Sequence, residues 1–200
     1  MENIIDETLD YLTKKPHKEK KIASKITGSL GFALCNEKSS SGKTLIEISL
    51  NRGYTTILCE IIRRYPMFAM EKDSKGQTLV HKAAMLGYSD VCKTAFEVYP
   101  SIAEVKDNDQ ETFLHKAARQ KLSDVCIYAI SHNKNLATIR NDRGETFLHV
   151  AAHSGLLSVY NAALNADKEL VNIEDDSHVS PFYIMAYTLV REDQQKARNK

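Results

Sequence analysis

The apolar and polar positions of this chain repeat at a step of 34 residues. That step separates five residues, each of which begins a segment of the same pattern: Thr44, Thr78, Thr112, Thr146 and Ser180. The segments read T-L-I-E-I-S-L, T-L-V-H-K-A-A, T-F-L-H-K-A-A, T-F-L-H-V-A-A and S-P-F-Y-I-M-A. A constant period is typical of a solenoid, in which one unit cannot bury its apolar face without its neighbours. The pattern predicts stacked repeats and favours binding over catalysis.

The unit over residues 107–140 shows how each repeat is expected to be built. Asp107 and the Asn and Asp that follow predict a turn, because these side chains bond their own backbone. Thr112 is expected to cap a short helix whose Leu114 is buried, and Ser123 to cap a second helix. Each unit is therefore predicted to be a turn, two helices and an extended exit.

Two stretches carry a more specific signature. Residues 76–84 read G-Q-T-L-V-H-K-A-A, and residues 144–152 read G-E-T-F-L-H-V-A-A. Both resemble the T-P-L-H-x-A core of the ankyrin repeat, and the resemblance extends in phase over residues 42 to 187. It implies an all-α ankyrin-repeat solenoid, made of α-helical hairpins joined by β-turn fingers.

The repeat register sets the expected domain boundaries. Residues 1–41 are predicted to form a helical N-terminal cap and connector, since apolar residues recur at helical spacing in 4–12 and 22–33. Four repeats are expected over residues 42–179, at 42–75, 76–109, 110–143 and 144–177. Residues 178–200 are read as a partial fifth repeat or C-terminal cap helix, in a chain that either ends there or was cut from a longer protein.

Composition adds little to this picture. The net charge of +1 gives no overall field toward nucleic acid or an anionic membrane. The longest apolar run, residues 182–190, is far short of the about 20 residues that span a bilayer. Cys92 and Cys126 are one step apart in second helices, too distant for a disulfide, and Cys35 and Cys59 lack a C-x-x-C partner. We expect a monomer in the reducing cytoplasm.

The residues that could suggest a metal site or a phosphate-binding loop are better explained by structural roles. His81, His115 and His149 are one repeat apart, about 10 Å in a stack, so they cannot converge on one metal ion. The ankyrin resemblance implies instead that each pairs with its Thr in a network between repeats, which thins at the ends of the stack. The S-G-K-T at residues 41–44 lacks the first glycine of a phosphate loop, where Glu37 stands. No catalytic motif, cofactor or metal site is predicted, so the chain is not expected to be an enzyme.

The resemblance implies that a partner protein binds to the concave face made by finger turns and first helices. By register, the candidate partner-binding residues are Ser74, Lys75, Gln77, Met85, Leu86, Asn108, Asp109, Glu111, Arg119, Gln120, Asp142, Arg143, Glu145, His153 and Ser154. Met85 and Leu86 beside Arg119 are expected to form an anchor, because Met and Arg are enriched in interface cores. The alternative is that Met85 or Leu86 packs under the finger.

Two other functions stay open. The repeats are consistent with the targeting arm of a larger enzyme or of a bacterial effector acting in the host cytoplasm. The lysine-rich run K-K-P-H-K-E-K-K, from Lys14 to Lys21, is either a solvated connector or a patch that binds phosphoinositide or nucleic acid. Nucleic-acid binding is not expected from the rest of the chain.

The third repeat lacks glycine at two turn positions. Gly53, Gly87 and Gly155 follow the first helix of their repeats, where the chain reverses in a left-handed conformation, but Lys121 stands there in the third. Gln110 likewise replaces the finger glycine of the neighbouring repeats. The register predicts a positive φ at Lys121.

Overall fold

The computed structural model describes residues 7–8, 19–24, 26 and 28–198 of the 200-residue chain, apart from the side chains of residues 28–30 and 192. Within these ranges the chain is all-helical, with isolated bridges but no strand. Helices α1 to α12 of the described ranges span Glu19–Ala23, Gly28–Asn36, Leu45–Arg52, Thr55–Arg64, Met67–Met70, Leu79–Met85, Ser89–Val98, Phe113–Arg119, Ser123–His132, Phe147–His153, Leu157–Ala166 and Pro181–Arg198. Short 3-10 helices span Pro100–Glu104, Lys134–Thr138 and Lys168–Asn172.

The chain divides into two compact units, and the first comprises residues 1–71 and 90–102. Thr44 caps α3, with Glu47 N donating to Thr44 Oγ1 at 3.3 Å and Thr44 N donating to Glu47 Oε2 at 2.9 Å. The single helical stretch indicated over residues 22–33 is divided between α1, which ends at Ala23, and α2, which begins at Gly28, whereas most of residues 4–12 and of the lysine-rich run lie outside the described residues. The buried core of this unit includes Ile22, Ile26, Leu34, Leu45, Ile57, Ile61 and Phe68.

The second unit comprises residues 72–89 and 103–200, and it contains the third and fourth repeats together with the finger and first helix of the second. Its first helices pack side by side, α6 on α8, α8 on α10 and α10 on α12, and the second helices α9 and α11 pack on each other. Leu114 is fully buried, as predicted. The alanine pairs of the first helices are buried too, which allows the backbones to lie close together.

The ends of the second helices differ in part from the sequence prediction. Tyr-Pro pairs follow two of these helices, at Tyr65-Pro66 after α4 and at Tyr99-Pro100 after α7, and they stop the helix because Pro disfavours helix in the residue before it. The extended exit is wrong: a 3-10 turn follows the second helix, because this tighter path buries Leu136 and Ala137 before the chain extends at Ile139.

The start of α9 is also corrected. Ser123 is the first helical residue, and Leu122 precedes it as an N-cap without a side-chain hydrogen bond. The backbone makes this turn alone, because Leu122 N donates to the Ala117 carbonyl at 2.9 Å and Ser123 N to the Lys121 carbonyl at 2.9 Å.

Left-handed residues mark the same two positions in successive repeats. Lys121 has φ 60°, which confirms the prediction, and Gln110 has φ 57°. His178, one step after Gly144, has φ 61° and was not predicted. The left-handed glycines are in phase with these residues, at Gly42, Gly53, Gly76, Gly87, Gly144 and Gly155.

The last repeat ends in one long helix. α12 has 18 residues, against seven in each of α6, α8 and α10. The position that holds the reversing glycine Gly155 in the fourth repeat holds Leu189 one step later, so the helix continues through it. Among the described residues, no helix is long and apolar enough to cross a bilayer.

Candidate functional site

The finger turns of the second unit share one hydrogen-bond pattern. Asp107 Oδ1 accepts from Asp109 N at 3.0 Å and from Glu111 N at 2.9 Å. The same pair of bonds forms in phase at Asp73, Asn141 and Asp175. Neighbouring fingers are then joined, since Asn108 N donates to the Lys75 carbonyl at 3.1 Å and Asp176 N to the Arg143 carbonyl at 3.2 Å. The fingers are therefore built as one bonded row.

Three cations join the fingers at their bases. Lys72 Nζ donates to the Lys106 carbonyl at 2.8 Å, and Lys106 Nζ donates to the Arg140 carbonyl at 2.8 Å. An Arg140 guanidinium nitrogen donates to the Glu174 carbonyl at 2.7 Å. Each bond joins residues one repeat apart, so these cations stabilise the row of fingers. The outer finger residues remain free to face solvent.

The Thr and His of each repeat form the expected network. Thr112 N donates to His115 Nδ1 at 3.2 Å, and the Thr112 hydroxyl lies 2.9 Å from the same nitrogen. His115 Nε2 lies 3.1 Å from the Glu145 carbonyl, which belongs to the next finger. The equivalent bonds of His81 and His149 reach the carbonyls of residues 111 and 179 at 3.1 Å. Each first helix is thus tied to the following turn.

These bonds set the charge state of the histidines. Because Nδ1 accepts from a backbone N–H, Nε2 must carry the proton that it donates to the carbonyl, so the ring is neutral. Burial lowers the pKa of His115 to about 4, against the hydrogen bond to the Glu145 carbonyl, which favours the charged form. Burial likewise lowers the pKa of His81 and His149. No cluster of metal-binding side chains occurs within the described ranges.

One row of side chains stands out on the first helices. Met85, Arg119 and His153 occupy the same position in α6, α8 and α10, and all three are exposed. We call them the first-helix row. Leu86, next to Met85, is 49% exposed and Met85 is 44% exposed, so neither is packed beneath the finger.

Arg119 is held in place by a buried charge cluster. Its two terminal nitrogens donate to the two carboxylate oxygens of Glu111, at 2.9 and 2.5 Å. Lys116 Nζ lies 2.5 Å from Glu111 and 2.9 Å from Asp107 Oδ2, with only 7% of its side chain exposed. The four charges sum to zero, and the fork of two bonds fixes the orientation of the guanidinium.

The cluster also determines the charge of Glu111. Burial alone would raise the pKa of this carboxyl, but the hydrogen bonds from Arg119 and Lys116 outweigh it and lower the pKa to about 2. Burial would lower the pKa of Lys116, and the bonds to Glu111 and Asp107 raise it instead. Glu111 and Lys116 are therefore both charged at neutral pH.

The predicted partner-binding residues all lie in the second unit. The predicted exposure of one of them is corrected by the structure. Glu111 is buried at 4% exposure instead of exposed, because it turns inward to Lys116 and Arg119. Gln77, Glu145 and Ser154 are half-buried. The exposed members are Ser74, Lys75, Met85, Leu86, Asn108, Asp109, Arg119, Gln120, Asp142, Arg143 and His153.

The fourth finger has its own polar network. Asn141 Nδ2 donates to Glu145 Oε2 at 2.9 Å, and Arg143 donates to the same oxygen through Nη2 at 2.7 Å. In the third finger, the Asn108 side-chain amide donates to the Ser74 carbonyl at 3.2 Å. Two pairs of candidate residues are thus in hydrogen-bond contact, Arg143 with Glu145 and Asn108 with Ser74.

The first-helix row continues onto α12, which sequence reasoning missed. Tyr187 comes one step after His153, and it lines a groove of about 540 Å³ with His153, Tyr183, Ile184 and Arg191. Tyr183 is 65% exposed and Tyr187 is 60% exposed. The sequence signal for this extension is the position of Tyr187, one 34-residue step after His153.

The other candidate groups have structural roles. The turn at Gly42 repeats the finger pattern, with Gly42 N donating to the Ser39 carbonyl at 2.8 Å, which supports repeat register at S-G-K-T. The cysteines are buried and none is in a disulfide, and burial raises the pKa of Cys35 and Cys126 to about 12. The thiols of Cys35 and Cys126 are therefore protonated packing groups.

Comparison of this chain with models of protein families and with curated protein sequences finds no match.

Proposed function

We propose that this chain is an ankyrin-repeat scaffold that holds a partner protein, without catalysis, on the face formed by its fingers and first helices. The observation that carries the proposal is the exposed first-helix row of Met85, Arg119 and His153 on helices whose ends are tied to the next finger. Side chains at fixed spacing on a rigid frame lose little entropy when a partner binds.

The anchor of this surface combines apolar area with a fixed charge. Met85 and Leu86 expose apolar side chains one repeat before Arg119. Because Glu111 already holds the Arg119 guanidinium in a fork, binding does not have to order that side chain. Met and Arg are both enriched in the cores of interfaces, where a few residues supply most of the affinity.

A crosslinking experiment identifies the partner and tests the surface. A photoreactive amino acid at the exposed Gln120 captures whatever protein binds beside Arg119. With the purified partner, combining Met85→Ala and Arg119→Ala should weaken binding by about 2 kcal/mol or more in calorimetry, because hot-spot side chains are removed. Circular dichroism should show an intact fold.

The matched control removes exposed side chains from the second-helix side of the chain. Leu164→Ala combined with Lys168→Ala truncates one exposed apolar and one exposed cationic side chain on α11 and just after it. We expect this variant to bind the partner with unchanged affinity. An equal loss in both variants, or partner-dependent turnover of a substrate, would refute the scaffold.

The cysteines support a reducing compartment for this scaffold, such as the cytoplasm. Cys35, Cys59, Cys92 and Cys126 are all buried and none is in a disulfide. Buried thiols that are not oxidised to disulfides are typical of proteins kept reduced. Most of the lysine-rich run lies outside the described residues, so anion binding there stays a prediction from the sequence, as does an effector's targeting arm.

A further inference from the structure

The groove along α12 has a polar wall and an apolar floor. Tyr183, Tyr187, Arg191 and Gln195 recur every fourth residue, so they share one face of the helix. Ile184 is buried below them. His153, from the end of α10, lines the same groove.

The groove forms because α12 is fixed against the end of α10 and then continues beyond it. The Thr188 hydroxyl lies 3.3 Å from the Ala152 carbonyl and 2.9 Å from the Ile184 carbonyl, which pins α12 where α10 ends at His153. Beyond Thr188, the helix runs on past Gln195 to Arg198, and at about 1.5 Å per residue this part extends about 15 Å. Arg191 and Gln195 therefore project from a segment that α10 does not cover.

The charges of the groove favour one sign of ligand. Its lining contains the Arg191 cation and the His153 imidazole and, among the described side chains, no carboxylate. A guanidinium binds a carboxylate through two parallel hydrogen bonds. The exposed rings of Tyr183 and Tyr187 offer apolar contact with a polar tip, as aromatic side chains at interfaces do.

We infer that this groove binds a short acidic segment of a partner protein that carries one large apolar side chain. The apolar side chain lies on Ile184 between the tyrosine rings, and a neighbouring carboxylate of the segment pairs with Arg191. The inference rests on the proposed scaffold function and extends its binding face by one repeat, from His153 to α12.

The probe is an acetylated, amidated heptapeptide with a central phenylalanine, two glutamates on each side and terminal glycines. Two counterparts replace the glutamates by lysine, or the phenylalanine by alanine. Titrations of the isotope-labelled whole chain, followed by NMR, should show shifts at Tyr187, Thr188 and Arg191 with the acidic phenylalanine peptide. Binding of the lysine or alanine counterpart with equal affinity would overturn the inference.

Variants of α12 test the two contacts separately. Arg191→Glu should weaken the acidic peptide by about tenfold, the loss of one charge-assisted contact, and should favour the lysine peptide. Tyr187→Ala should weaken it by about fivefold through lost aromatic contact. Arg198→Glu makes the same charge change on the same helix outside the groove lining and should change the affinity less than about twofold.

The outcomes separate this inference from the scaffold proposal. Equal weakening by Arg191→Glu and Arg198→Glu would mean that only net charge matters, and it overturns the groove. A concentration-dependent dimer that Tyr187→Ala dissolves would show that a second copy fills the groove, which also overturns it. If the Met85 and Arg119 variant loses the partner while no peptide binds, only the groove fails. If the peptide binds as expected and that variant keeps the partner, only the original anchor fails.

Discussion

The third and fourth fingers share a backbone but stabilise it with different chemistry. In the third, Asp107 is buried and paired with Lys116. In the fourth, Asn141 takes the place of Asp107, and Val150, 7% exposed, takes the place of Lys116. Both fingers still close the same two turn bonds. The turn therefore needs a side-chain oxygen at its first residue and does not need a buried ion pair.

The difference shows what the charged version adds. In the fourth repeat, the helix position is apolar and His153 stands at the next exposed site, whereas in the third, Glu111 connects buried Lys116 to exposed Arg119. A buried ion pair contributes little net stability compared with apolar packing. The cluster fixes the orientation of Arg119 in the third repeat, and changing Lys116 and Asp107 tests the comparison with the fourth.

The largest effect is expected for Lys116→Ala. It leaves the carboxylate of Asp107 buried without its cation, so the free energy of unfolding should fall by about 3–5 kcal/mol in urea melts. Lys82 is the matched control, since it makes the same 2.9 Å bond to Asp73 with 37% of its side chain exposed. Lys82→Ala should cost less than about 1 kcal/mol.

Installing the fourth-repeat residues sharpens the same test. Lys116→Val combined with Asp107→Asn should cost less than Lys116→Ala alone, because the new amide can donate to Glu111 as Asn141 donates to Glu145. Arg119 keeps its partner in this variant. Equal losses for Lys82→Ala and Lys116→Ala, or no recovery in the double variant, would show that burial of the pair is not what matters.

The second effect is a loss of stability in mild acid. The pKa of His115 is lowered to about 4 from an ordinary 6.5, so the unfolded chain binds the proton more readily. This contribution is complete above pH 6.5 and should be lost as the pH falls to 4, by about 3 kcal/mol. Urea melts between pH 7 and 4 measure it, and His115→Asn should reduce that slope, because His81 and His149, whose pKa burial also lowers, supply the remainder.

Glu111→Gln serves as the control, because the titrations of the two groups fall in different pH ranges. The pKa of Glu111 is lowered to about 2 from 4.5, so its contribution is lost only as the pH falls below 4.5. The variant should therefore keep the slope between pH 6.5 and 4.5. Stability that is flat over that upper range in the unmodified protein would contradict the neutral, buried histidine.

The smallest effect is expected at Lys121. Its φ of 60° is strained for a side chain with Cβ, so Lys121→Gly should stabilise the protein by about 0.5–1 kcal/mol. The fourth repeat supplies the converse variant: Gly155→Lys, at φ 71°, should destabilise by a similar amount. Thermal melts of both variants measure the pair. A less stable Lys121→Gly would mean that the lysine makes a contact worth more than the strain.

The repeat period predicted the local structure well. Thr78, Thr112 and Thr146 occupy the N-cap positions of their helices, and Lys121 is left-handed, because these features depend on residues close in sequence. The period also places His178 at a left-handed position, one step after Gly144, although no prediction was made for it. The ankyrin identity itself stays a prediction from these motifs.

Features that depend on long-range packing were harder to predict. The repeat register predicts that Glu111 lies exposed on the partner-binding face, yet its burial is decided by two cations on α8, the helix that follows it. The sequence signal for the burial of Glu111 is Lys116, a charged residue at the position where the fourth repeat has the apolar Val150. The missing glycine at Leu189 explains the length of α12 once the structure is known, whereas the groove depends on how α12 packs against α10.

The bonds from each histidine to the next finger limit how this chain can change in length. His81, His115 and His149 each reach a carbonyl 30 residues further on, so an insertion within that span lengthens the path between two fixed atoms. Added residues fit only in loops that bulge outward, as at the turn near Asn133. Viable length variants should therefore gain or lose whole repeats, or grow at those outer loops.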